Sequence, residues 1–396
     1  EKATEIAGNL RNLETLDAVH THIEELPSGV AQLENLRHLM VKKFHRQTSR
    51  FTVLGGGVKV PGGIGNLKGL QTLKAAVADD GMIRHLKKMT QMRSLDMRGV
   101  TTIHSVDLSM SISKMEHLHR LILMANHKDD TLLLANLTPP PRLRKLSLYG
   151  KLEKGMLPHW FDSLANLTHL VLKMSRLRED AVSALMALPS LVSLFLMQAF
   201  EGNTLRFPAG SLCKLKSLGL CDMAHLNCIE IEETALESVQ EPTLVRCSQL
   251  QTIPRGIQSL TGLQKLELED MPDELVEKHR ECREHYQSIP IIKIWYHING
   301  SWIACANLPL RRPARTERKM DLKASDRFNI NSQLEHLQAK YVGTGHADLS
   351  RLKCCCPVVF HQRGKKIEVD YRSVFESTSV ADCGFLLRGS RETIRV

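Results

Sequence analysis

Residues 253–268 read IPRGIQSLTGLQKLEL, with apolar side chains at Ile253, Ile257, Leu260, Leu263, Leu266 and Leu268. The spacing opens with a step of four, continues in threes and closes on a step of two. Steps of three and four suit a helical or tightly turned arc. The closing Leu266-x-Leu268 suits a short strand with both leucines on one face. Neither a single helix nor a single strand satisfies both halves. A coil does, if its strand and its arc bury their leucines toward a shared interior.

The frame returns along the chain. Residues 23–39 read IEELPSGVAQLENLRHL, 60–73 VPGGIGNLKGLQTL and 157–172 LPHWFDSLANLTHLVL. Each copy keeps an apolar residue, a proline and then apolar positions in steps of three. The first strand leucine recurs at Leu146, Leu170, Leu194 and Leu218 in steps of 24, and two further steps reach Pro242 and Leu266. At Pro242 the leading leucine is replaced, while Leu244 keeps the second. Upstream, Leu121, Leu95, Leu73, Leu39 and Leu16 hold the same role, with an insertion between Leu39 and Leu73. Periods of about 20–29 residues with this leucine pattern belong to leucine-rich repeats. The predicted fold is an α/β solenoid, a leucine-rich-repeat horseshoe. Short parallel strands line its concave face, and irregular turns and short helices its convex face. Its expected divisions are a solenoid over 1–271, a C-terminal cap over 272–303 and a poorly ordered, non-repeat tail over 304–396.

Composition narrows the function class. Only 5% of the 396 residues are aromatic, which fits stacked aliphatic coils better than one globular centre. Of the net charge of +10, residues 1–300 hold 36 Lys/Arg against 33 Asp/Glu, and residues 301–396 hold 17 against 10. The basic surplus therefore belongs mainly to the tail, and the repeats show no compositional pull toward nucleic acid. No apolar run reaches the ~18 residues of a membrane span, and no signal peptide opens the sequence. The ten cysteines form no metal-ligand spacing, and adjacent Cys354, Cys355 and Cys356 suit no disulfide framework, so a reducing, cytoplasmic setting is expected. The chain opens on Glu1 with a repeat already under way by Leu10, and is expected to be a fragment.

Catalytic signatures are lacking. Gly55-Gly56-Gly57 precedes Lys59, but Val60 stands where a phosphate loop needs Ser or Thr, so a surface loop is the better reading. There is no G-x-S-x-G, no H-E-x-x-H and no kinase signature. His279 and His285 are six apart, a poor metal pair, and His117-x-His119 stands just before a strand facing solvent. No enzyme activity, cofactor or metal is expected. Met89, Met92, Met97 and Met115 read as core filler. Arg178–Leu188 reads as a true helix burying Ala181, Leu185 and Leu188, and Cys247 as a small buried group satisfying loop carbonyls. The basic run from Arg311 to Lys319 reads as a solvated linker rather than a nuclear signal.

With the strand leucines pointing inward, the residues beside them face the concave side. In four adjacent repeats these are Lys145, Ser147 and Tyr149; His169, Val171 and Lys173; Ser193, Phe195 and Met197; Ser217, Gly219 and Cys221. Phe195 and Met197 form an apolar centre, and Lys145, Tyr149, His169, Lys173, Ser193 and Ser217 complete the candidate protein-binding face. The competing reading has a neighbouring loop covering Phe195.

The copies at 23–39 and 253–268, followed by LEDMPDELVEKHRECREHYQSIPIIKIWY at 268–296, resemble plant intracellular nucleotide-binding disease-resistance proteins in their C-terminal leucine-rich-repeat region. The cereal coiled-coil subclass is the nearest likeness, through the MPDEL stretch and the IP-x-x-K-I-W ending. The resemblance covers about residues 1–303 and implies a cytoplasmic immune-receptor fragment. Its implied partners are proteins: its own upstream nucleotide-binding ATPase module, which it would restrain, and a pathogen effector or guarded host protein. No phosphate loop stands in this chain, so no nucleotide-binding residue carries over. Residues 304–396 lie outside the resemblance, and a read-through intron or shifted frame would produce such a tail. A cytoplasmic leucine-rich signalling scaffold shares the frame, but usually at one tight period near 23. An extracellular receptor would need a signal peptide and capping cysteines.

Overall fold

The structure, a computed structural model, describes residues 12–43, 56–281, 289, 291–298 and 301–304, and strand segments at 358–362, 365–369, 386–388 and 393–395. In chain order the strands are β1 (Thr15–Thr21), β2 (His38–Lys43), β3 (Thr72–Val77), β4 (Ser94–Val100), β5 (Arg120–Ala125), β6 (Thr131–Leu132), β7 (Lys145–Tyr149), β8 (Lys151–Leu152) and β9 (His169–Lys173). They continue through β10 (Ser193–Met197), β11 (Thr204–Phe207), β12 (Ser217–Cys221), β13 (Cys228–Ile231), β14 (Thr243–Val245), β15 (Leu266–Glu269), β16 (Ile292–Ile298) and β17 (Ser301–Ala304). Twelve of these pair in parallel, in the order β1-β2-β3-β4-β5-β7-β9-β10-β12-β14-β15-β16. The shorter pairs β6–β8 and β11–β13 form two further small parallel sheets. This is the solenoid that the leucine period predicts. β17 folds back antiparallel on β16, and the segment Val358–Gln362 runs antiparallel to β1. The division into solenoid, cap and tail at 271 and 303 remains a proposed one.

The register shows why the period is 24. Leu146, Leu170, Leu194 and Leu218 stand directly beside one another in consecutive strands. The longer interval between Leu39 and Leu73 does not disturb this, because those two leucines are also partners. Most of the insertion, residues 44–55, lies outside the described residues. Its end is tied in, with Val58 N–H donating to Ala75 O at 2.9 Å and Leu26 N–H to Lys59 O at 2.9 Å. Pro242 stands just before β14, as expected of a residue that donates no ladder bond, and its carbonyl accepts Glu267 N–H at 3.0 Å.

The steps of three have a direct cause. In the four copies of the frame, the apolar residue three beyond the proline donates its N–H to the proline carbonyl: Val30 to Pro27, Ile64 to Pro61, Phe161 to Pro158 and Ile257 to Pro254, at 3.1, 3.3, 2.9 and 3.3 Å. The next leucine repeats the move, with Leu33, Leu67, Leu164 and Leu260 donating to those same apolar residues. Leu36, Leu70, Leu167 and Leu263 then donate to the preceding leucines. A run of i→i+3 turns has about three residues per turn, so a three-residue spacing brings every apolar side chain to one side. All of these side chains are buried.

Strands β9, β10, β12, β14 and β15 end in the same way, and β7 ends on Gly150, with φ 140° and its N–H donating to Lys173 O at 2.9 Å. Met174, Gln198, Asp222, Arg246 and Asp270, again 24 apart, all have left-handed backbone, with φ between 49° and 56°. Each N–H still donates sideways, to the carbonyls of Met197, Cys221, Val245, Glu269 and Trp295, at 2.8–2.9 Å. The ladder thus runs one residue past the strand while the chain turns away from the sheet.

The predicted helix over Arg178–Leu188 is shorter than expected: a 3₁₀ turn at Glu179–Ala181 runs into an α-helix at Val182–Met186. Its stripe is as expected, with Ala181, Leu185 and Leu188 buried. The four methionines fill the core, and Cys247 is buried with Sγ 3.7 Å from Val245 O and 3.9 Å from Leu220 O. Two helices were not expected, Asp80–Leu86, which buries Met82, Ile83 and Leu86, and Ser105–Ser113, which buries Leu108 and Ile112. The first is capped by Asp79, whose carboxylate accepts Met82 N–H at 2.7 Å. At the far end, helix Asp273–Glu281 buries Leu275 and Val276, and Tyr296 Oη donates to Asp273 at 3.3 Å. Asn166 is exposed, and its amide donates to Pro141 O at 3.3 Å.

Candidate protein-binding face of the sheet

The outward positions of the strands form three rows. At the strand starts, Arg120, Lys145, His169, Ser193 and Ser217 are successive register partners. Two residues on, the row is Ile122, Ser147, Val171, Phe195, Gly219, Thr243 and Glu267. Two further on, Arg98, Met124, Tyr149, Lys173, Met197, Cys221, Val245 and Glu269 line up across eight strands.

The eight predicted residues are therefore brought onto one face, but not equally. Lys145 and Ser217 are exposed; Tyr149, His169, Ser193 and Phe195 are half-buried. Lys173 and Met197, expected at the surface, are 7% and 3% exposed. The reason is lateral packing. Met197, Cys221 and Val245 close on one another at strand spacing, with Phe195 against them. The Lys173 Nζ lies 5.1 Å from the Tyr149 ring centroid and 5.5 Å from that of Phe195. Such a seat compensates an ammonium in part through the negative faces of the two rings. Burial, with Arg98 and Lys42 nearby, still lowers the Lys173 pKa against a raising contribution from Cys221. Lys173 and Met197 thus support the surface from beneath.

The Cδ2–Cε2 edge of the Phe195 ring packs against Gly219. A Cβ on Gly219 would sit 2.5 Å from the ring's Cδ2, a separation real atoms do not adopt. That glycine is required for space, not for backbone conformation. The exposed edge of this centre is made of Val171, Phe195 and Tyr149, with Ile122 and Met124 buried beside it.

Charges flank the apolar centre. Toward β4 the Arg98 guanidinium donates to both Asp96 oxygens, at 2.6 and 2.9 Å, in a buried pair. Toward β15, Arg246 makes the same bidentate contact with Asp222, at 2.5 and 2.7 Å, and this raises the Arg246 pKa. Burial pushes the Cys221 thiol well above the usual thiol range, and the Cys247 thiol up to about 11. Neither is poised as a nucleophile. Arg98–Asp96 and Arg246–Asp222 escape sequence reasoning because an ion pair between or along strands has no periodic signature. Among the described residues no group of His, Cys, Asp and Glu has the arrangement to hold a metal ion, and no helix is long and apolar enough to cross a membrane.

A family model described as a leucine-rich repeat region matches residues 3–281. The chain belongs to that leucine-rich-repeat family. Its repeat region is homologous to disease resistance proteins of Arabidopsis thaliana: it is 36% identical to disease resistance protein RPM1 over 251 residues, 62% of this chain and 27% of that one. It is 24% identical to a probable disease resistance RPP8-like protein over 305 residues, 74% of this chain and 32% of the relative. The chain thus spans about a third or less of the length of these relatives. Among solved structures, an internalin of Listeria monocytogenes covers 73% of this chain and 82% of its own, at 15% identity and a TM-score of 0.46. Residues 326–353, within the expected non-repeat tail, match a family described as splicing factor 3B subunit 10. Over 28 residues this part is 64% identical to splicing factor 3B subunit 5 of Drosophila melanogaster, 7% of this chain and 33% of that one.

Proposed function

We propose that the repeat region is the protein-binding part of a plant intracellular immune receptor of the nucleotide-binding, coiled-coil subclass. It acts in the cytoplasm, recognising a pathogen effector or a guarded host protein and restraining an ATPase module that is not in this chain. It has no enzymatic role of its own. The homology to disease resistance proteins supports the setting. The observation that carries the binding role is the apolar centre on the sheet face, where Phe195 packs against Gly219 within a rim of charged and hydroxyl side chains. An aromatic anchor inside a polar rim is the arrangement of protein-binding hot spots.

The test is a pull-down of the co-expressed nucleotide-binding module and of candidate effectors by the parent chain and by Phe195→Ala, with circular dichroism as folding control. Lys173 is unsuitable for this purpose, because a buried charge reversal would disturb folding. Loss of capture with an unchanged spectrum supports the reading; undiminished capture moves the binding surface off this face.

A further inference from the structure

Apart from the apolar centre, the same face carries a second feature at the strand starts. His119 and Arg120 both donate their N–H groups to Arg93 O, at 3.0 and 3.2 Å. Arg144 and Lys145 both donate to His119 O, at 3.0 and 2.9 Å, and His169 donates to Arg144 O at 3.0 Å. These bonds set Arg93, His119 and Arg144 in line across three repeats, with Arg120, Lys145 and His169 in line beside them. At a strand spacing of about 4.8 Å the cations crowd into one stripe. Arg93, Arg120, Arg144 and Lys145 are exposed, and none of them forms a salt bridge with another described residue. The crowding is felt within the stripe: after burial, Lys145 and Arg120 hold the His169 pKa below its ordinary value.

At the opposite end of the face the acidic groups are already engaged: Glu267 pairs with Lys265 at 3.1 Å, and Glu269 is buried. Glu267 and Glu269 occupy β15, and Asp270 follows them. From Lys145, moving along the strand by two residues, roughly 7 Å, and over by one or two strands reaches Val171 and Phe195. A single extended segment can therefore touch both features.

We propose that this stripe docks a short acidic segment of a protein partner, with carboxylates on Arg93, Arg120, Arg144 and Lys145 and an aliphatic or aromatic residue on Val171 and Phe195. The proposal rests on the reading of this face as protein-binding and names the chemistry of the partner. Guanidinium groups in a row suit carboxylates through paired, parallel hydrogen bonds. Complementary charge also steers the encounter and fixes which way round the partner lies.

The experiment uses the full chain and fluorescence polarisation with a labelled ten-residue peptide alternating Glu with Leu and Phe. A peptide with Lys for Glu and a ten-nucleotide oligothymidine serve as comparisons. The acidic peptide is expected to bind, more weakly as salt is raised, and the Lys peptide not to bind. Arg120→Glu/Lys145→Glu should weaken binding by roughly tenfold or more, and Arg120→Gln/Lys145→Gln by less. The Gln pair decides the matter if the Glu pair fails to fold. Undiminished binding by either folded variant, no binding by the parent, or oligothymidine binding as tightly as the peptide would each overturn the proposal. If Phe195→Ala abolishes protein capture while the charge variants retain it, the face still binds proteins and only the acidic partner is refuted. If the charge variants lose the peptide while Phe195→Ala still captures the protein, the stripe stands and the apolar centre does not.

Discussion

Leu194 is buried between its register partners Leu170 and Leu218, and its neighbours belong to the coils on either side. Truncation to alanine leaves a void that close-packed coils cannot refill, at a cost of about 2–5 kcal/mol. Urea unfolding of Leu194→Ala should show the midpoint shifted accordingly, and a parent-like midpoint would remove Leu194 from the core. Two histidines make a pH-dependent contribution. Burial, together with Arg37 and Arg93, outweighs Glu14 and lowers the His38 pKa; burial, Lys145 and Arg120 lower that of His169. Protonation is therefore harder in the folded chain than in the unfolded one. Below the ordinary value of 6.5 the unfolded state binds more protons, and stability falls as pH drops through that value. The melting temperature should fall between pH 7 and pH 5, and fall less in His38→Gln/His169→Gln. Equal slopes for the two chains would show that these rings do not contribute.

Among elements, the left-handed residue after β9, β10, β12, β14 and β15 has no counterpart in the hydrophobic pattern. The positions hold Met174, Gln198, Asp222, Arg246 and Asp270, five residues without a glycine among them. Sequence reasoning expects glycine at a positive φ, so nothing marked these turns. The conformation is imposed by the sideways hydrogen bond that each N–H makes, at a local cost of order 1 kcal/mol. Gln198 is exposed, and Gln198→Gly should relieve that cost and raise stability by roughly 0.5–1 kcal/mol, whereas Gln198→Val should lower it. Thermal unfolding of the pair decides; a glycine variant less stable than valine would deny the strain. The arcs were legible for the opposite reason. Proline, apolar residue and leucines in steps of three translate directly into turns of three residues. The helices Asp80–Leu86 and Ser105–Ser113 were not, because they interrupt the frame where the repeats are least regular.

For the whole molecule, the fold class and the strand positions could be read from leucine spacing, because a coil can bury its apolar side only in one register. The candidate site was legible in part. Alternation identifies which residues face outward, but not how deeply neighbours bury them. Lys173 and Met197 illustrate this: both are on the expected face, and both are closed in by residues 24 positions away in sequence. The similarity at residues 326–353 was invisible to pattern reasoning, since that segment carries no repeat and no catalytic motif. Limited proteolysis tests the proposed division, which expects a resistant fragment ending near residue 304, after the β16–β17 hairpin, and loss of the Val358–Gln362 strand from β1. A tail as resistant as the repeats would refute that division.

From β7 to β12 the partners are always 24 residues apart, without a slip. A displacement in the gene of one such block is therefore, in the folded chain, a sideways move of one strand width. The interior has no means of detecting it, since each leucine finds another leucine in its place. Duplication of residues 170–193 would keep the leucine rows in register, yet it would set two copies of the buried Lys173 side by side and place Phe195 one rung further from Lys145. Selection acting on such copying errors can redraw the spacing between anchor and cations in whole steps of about 4.8 Å while the scaffold stays intact.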